Sequence, residues 1–66
     1  MQMNHLLYAS QKHFEAEMAR AEANLIQYVN NPVGIGEHPD LVAAMESQVE
    51  IIAAAEEKIQ VINKYF

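Results

Sequence analysis

Asn30-Asn31-Pro32-Val33-Gly34-Ile35-Gly36-Glu37-His38-Pro39-Asp40 holds both prolines and both glycines of the 66-residue chain and stands between two arms of nearly equal length. Pro32 lacks a backbone N–H and disfavours helical geometry at Asn31, so a helix arriving from the N-terminal side ends at Asn30 or Asn31. Pro39 suits the first turn of a new helix, and the Asp40 carboxylate lies beside the positive end of its dipole; His38 then falls at the cap position. The segment predicts a hairpin, with one helix over about residues 3–30, a loop over 31–38 and a second helix over about 39–65.

The first arm repeats its apolar residues at spacings of three and four. One core position carries Asn4, Gln11, Met18 and Leu25, and the other carries Leu7, Phe14, Ala21 and Tyr28. That is a heptad seam whose beginning is polar. Five alanines and Glu15, Glu17 and Glu22 favour helix, and neither Gly nor Pro interrupts the run. Those glutamates flank the seam and read as a solvated face, opposite a mixed surface of Lys12, His13, Arg20 and Gln27.

The second arm has a matching seam of Leu41, Met45, Gln48, Ile52, Ala55, Ile59, Ile62 and Phe66. Laid antiparallel, paired positions have residue numbers adding to roughly 70, which sets Leu25 near Met45, Met18 near Ile52, Phe14 over Ala55 and Leu7 near Ile62. Seam amides such as Asn4, Gln11 and Gln48 fix register and partner number at some cost in stability. Met18 and Met45 read as core filling.

Apolar residues remain that one partner helix does not cover. The first arm has Leu6, Tyr8, Ile26 and Val29, and beside the second seam runs a row of Val42, Val49, Ile51, Val61 and Tyr65. Chains below roughly 70–80 residues seldom draw more than about 3–5 kcal/mol from a single core, and the usual remedy is a disulfide, a metal or association. With no cysteine present, association is the support left, and a 52% hydrophobic content supplies its surface. The fold class expected is all-α, an antiparallel two-helix hairpin pairing into a dimeric four-helix bundle through Leu6, Tyr8, Ile26, Val42, Val49 and Ile51.

Nine acidic against four basic side chains give a formal charge of −5, which opposes direct binding to nucleic-acid phosphates. No apolar run is long enough for a membrane span, and the first residues lack the basic and apolar regions of a signal peptide, so the expectation is an uncleaved, soluble, cytoplasmic protein. Gly34-Ile35-Gly36 stands shortly before a helix start, where backbone N–H groups can hold an anion, but a dinucleotide fingerprint also needs a preceding strand and a third glycine. The reading preferred for the glycines is as the positive-φ residues of a return turn covered by Val33 and Ile35. Glu-x-x-His is absent, and neither serine has a base at a recognisable spacing, so no cofactor, metal or catalytic residue is assigned. Val33, Gly34, Ile35, Gly36, Glu37 and His38 form the candidate interaction loop.

The string from Asn31 to Asp40, followed by an Ala- and Glu-rich helix ending in Lys64-Tyr65-Phe66, resembles short proteins encoded by large tailed phages, phages of marine bacteria included. The resemblance spans the loop and second arm, about half of the chain, and carries no activity and no functional residue. It implies a small accessory or host-interaction product with a host or phage protein as partner. From the residues, the function expected is a non-enzymatic interaction or structural accessory protein acting as a homodimer. The alternatives are a small-molecule or anion binder using the Gly34 to Pro39 loop, and an acidic decoy mimicking nucleic acid.

Overall fold

The computed structural model describes residues 4–30 and 40–66. They form two helices, α1 over His5–Asn30 and α2 over Leu41–Tyr65, packed against each other in antiparallel. The result is a rod with extents of 48 × 15 × 14 Å and a radius of gyration of 14.9 Å, against about 11 Å for a compact chain of this length.

Each helix starts on a side-chain cap. Asn4 Oδ1 accepts from the Leu6 N–H at 2.7 Å, and the Asn4 carbonyl takes the first helical bond, from Tyr8, at 2.9 Å. Asn4 is therefore exposed at the helix end instead of forming the first layer of the seam, because its short amide satisfies an N–H that the helix leaves orphaned. Asp40 does the same for α2, its carboxylate accepting from Ala43 at 2.9 Å. The cap is thus Asp40 and the first helical residue Leu41, in place of His38 and Pro39, which lie outside the described residues. At the other end the Phe66 N–H donates to the Ile62 carbonyl at 3.0 Å. Phe66, expected as the last seam residue, is the C-terminal cap of α2 and is 52% exposed.

Between the caps the heptad pattern holds. Leu7, Gln11, Phe14, Met18, Ala21, Leu25 and Tyr28 on α1, and Leu41, Met45, Gln48, Ile52, Ala55, Ile59 and Ile62 on α2, all turn away from solvent. Only three of them are buried outright: Ala21 at 1%, Ala55 at 2% and Ile62 at 7% exposure. Two of the three are alanines, small enough for larger seam neighbours to cover. Two helices have one contact line each, so the rest of every large seam side chain stays half open.

Two cross-helix contacts mark the register. Asn24 Nδ2 donates to Gln48 Oε1 at 3.1 Å, and the Lys58 ammonium rests 5.2 Å from the Phe14 ring centroid. In both pairs the residue numbers add to about 72, two residues beyond the register the seams alone imply. Phe14 accordingly shares a groove with Ala54, Lys58 and Ile62. A ring of that size fits between side chains one turn apart better than on top of one.

Candidate interaction surface

The helices run antiparallel, so the row following each Leu7-type core position by one residue falls on the same flank of both helices. On α1 that row is Tyr8, Glu15, Glu22 and Val29; on α2 it is Val42, Val49, Glu56 and Asn63. The opposite flank carries Ser10, Glu17 and Asn24 from α1 and Ala44, Ile51, Lys58 and Tyr65 from α2. The groove shared by Glu17, Ile51 and Lys58 shows this pairing directly.

The six residues expected to form one interface are all exposed, from Leu6 at 67% to Ile51 at 38%, yet the fold divides them. Tyr8, Ile26, Val42 and Val49 lie on the first flank, and Leu6 and Ile51 on the second. The apolar row expected beside the second seam splits in the same way, since a step of two residues along a helix crosses to the other side of the seam. The first flank is also acidic: Glu15, Glu22, Glu46 and Glu56 are spaced among its apolar residues, with Lys12 as its balancing cation.

The second flank contains a feature that the spacing of large apolar residues does not single out. Ala44, Ser47, Ile51, Ala54, Lys58, Val61 and Tyr65 follow one another at spacings of three and four, a second heptad seam on α2 alone. Two hollows open along it. One, of about 440 Å³, is lined by Ala54, Glu57, Lys58 and Val61, with Phe14 and Ile62 at its floor and side. The other, of about 300 Å³, is lined by Ser47, Glu50, Ile51 and Ala54, with Glu17, Ala55 and Lys58 around it. Each set of four has the i, i+3, i+4, i+7 spacing of the hole that receives a knob from a facing helix. The signal is present in the sequence, but alanine, serine and lysine at four of the seven positions mask it.

Polar detail concentrates at the N-terminal half of α1. Lys12 pairs with Glu15 at 3.3 Å, and His13 Nε2 lies 3.3 Å from Glu17. Glu15 and Glu17 are half-buried instead of fully solvated, because each borders the seam. Gln11 Oε1 is buried without a hydrogen-bond partner. Among the described residues no three His, Cys, Asp or Glu side chains gather to hold a metal ion, and no helix is long and apolar enough to cross a membrane. The candidate loop residues Val33, Gly34, Ile35, Gly36, Glu37 and His38 lie outside the described residues. Comparison with known protein families, characterised proteins and solved structures finds no match to this chain.

Proposed function

We propose that the chain is a non-enzymatic, cytoplasmic interaction protein whose working form is a homodimer, two hairpins joined as a four-helix bundle. One observation carries this reading. Large apolar side chains stand exposed along both flanks of the described helices, among them Leu6 at 67%, Val42 at 64%, Ile26 at 61% and Tyr8 at 56% exposure, a surface that a folded chain ordinarily covers. The proposal extends to an accessory role in which the assembled bundle contacts a host or phage protein.

Sedimentation velocity at micromolar concentration tests the dimer. The expected species has about twice the 7.5 kDa chain mass. A well-folded helical monomer across that concentration range overturns the reading.

A further inference from the structure

We infer that the dimer forms by antiparallel packing of α2 on the α2 of a second copy, about a two-fold axis passing beside Ala54. The inference rests on the homodimer proposed above and assigns its surface and its orientation. The occupant is specified by the second seam itself, whose knobs and holes complement each other when one copy is turned end for end.

A two-fold at Ala54 sets this residue against the partner's Ala54, where two small side chains let the helices approach closely. Ile51 then faces the hole formed by the partner's Ala54, the partner's Glu57, the partner's Lys58 and the partner's Val61. That hole, floored by Phe14 and Ile62, is the larger and more apolar of the two. One heptad along, Lys58 faces the hole formed by the partner's Ser47, the partner's Glu50, the partner's Ile51 and the partner's Ala54. That is the more polar hollow, bordered by the carboxylates of Glu17 and Glu50. An apolar knob thus meets the more apolar hole, and a cationic knob meets the more polar one, whose two carboxylates, Glu17 and Glu50, outnumber its own Lys58. At the ends Ala44 faces the partner's Tyr65 and Ser47 faces the partner's Val61, small against large in both cases.

The competing arrangements lack this match. Parallel pairing of the same seam sets Lys58 on Lys58 and Tyr65 on Tyr65 while leaving Ala44 opposite Ala44, which combines a like-charge contact with a void. Self-pairing through the first flank brings four glutamates of each copy together, Glu15, Glu22, Glu46 and Glu56, whereas the antiparallel α2 seam apposes two from each α2, Glu50 and the partner's Glu57, with Lys58 beside them. Lys58 is exposed and rests over Phe14 in the single hairpin, so reaching a carboxylate on the partner needs only a change of rotamer.

The absence of cysteine makes site-specific crosslinking clean. Ala54→Cys is expected to form a disulfide-linked dimer under mild oxidation, while Ala53→Cys, on the first flank, stays unlinked. Lys58→Glu is expected to weaken dimerisation about tenfold or more, and the combined Lys58→Glu, Glu50→Lys exchange to restore it. Circular dichroism on each variant confirms that the exposed substitutions leave the hairpin folded. A dimer in sedimentation whose Ala54→Cys variant fails to crosslink, or which is indifferent to Lys58→Glu, overturns the α2 seam while leaving the homodimer standing. A folded monomer overturns both.

Discussion

Asn24 and Gln48 hold the two helices together by a side-chain hydrogen bond of 3.1 Å, donated by the Asn24 amide across the seam's edge. The two carboxamides are 24 positions apart in sequence, so their contact exists in one register alone. Sliding either helix by a turn would leave two part-buried amides without a partner, a loss of roughly 1–3 kcal/mol per orphaned group.

Removing one amide should therefore cost more than removing both. Gln48→Leu alone is expected to destabilise the protein by about 1–2 kcal/mol, since Asn24 keeps its desolvated amide and loses its acceptor. Asn24→Leu combined with Gln48→Leu should recover most of that loss. Urea unfolding at one fixed protein concentration checks it, because the midpoint of an associating protein moves with concentration. A coupling between the two sites below about 0.3 kcal/mol would show that the bond contributes nothing.

Gln11 presents the opposite case. It occupies a seam position, and its Oε1 is buried without a donor. Gln11→Leu removes that orphaned acceptor and adds apolar contact, so a gain of about 1 kcal/mol in unfolding free energy is expected. Loss of stability, or conversion to a mixture of oligomers, would mean that Gln11 meets a donor in the assembled protein.

Much of this architecture was legible from the spacing of Leu7, Phe14, Met18, Ala21 and Leu25 against Met45, Ile52, Ala55 and Ile62, since a heptad on each side of a Pro- and Gly-containing break has few other solutions. The two-residue difference in register arises because seam volumes alone do not distinguish Phe14 resting on Ala55 from Phe14 resting between Ala54 and Lys58. The start of α2 differs for a related reason. Charge near the helix dipole places Asp40 inside the first turn, whereas its carboxylate geometry makes it the residue that ends the loop. The flank assignment of Ile51 against Val49 was available from helical geometry. The meaning of Ala54 was harder to see, because a small residue signals an interface only when the holes beside it are known.

The tightness of the seam can be tested at Ala21, 1% exposed and bordering neither hollow. Ala21→Leu inserts three heavy atoms at the most buried position of the seam, and a loss of about 1–3 kcal/mol is expected from the resulting strain. Ala16→Leu, on the exposed back of α1, is the matched control and should change stability by less than about 0.5 kcal/mol. Should Ala21→Leu prove neutral or stabilising in thermal unfolding, the seam would have to be looser at this layer than its burial implies.

Asp40 offers the sharpest test of how the second helix begins. Its Oδ1 takes the Ala43 N–H at 2.9 Å, and its carbonyl accepts from Ala44 at 3.2 Å. Asp40→Ala keeps the backbone bond and removes the side-chain one, so the first turn of α2 should fray at a cost of about 1 kcal/mol. Asp40→Asn preserves the acceptor without the charge. The neutral amide should retain most of the stability and lose only the charge–dipole part, about 0.3–1 kcal/mol, a difference from the wild type that shrinks in high salt. Amide hydrogen exchange at Val42, Ala43 and Ala44 resolves the two contributions: protection at Ala43 falls in Asp40→Ala and persists in Asp40→Asn. Equal protection in both variants would assign the start of α2 to another cap.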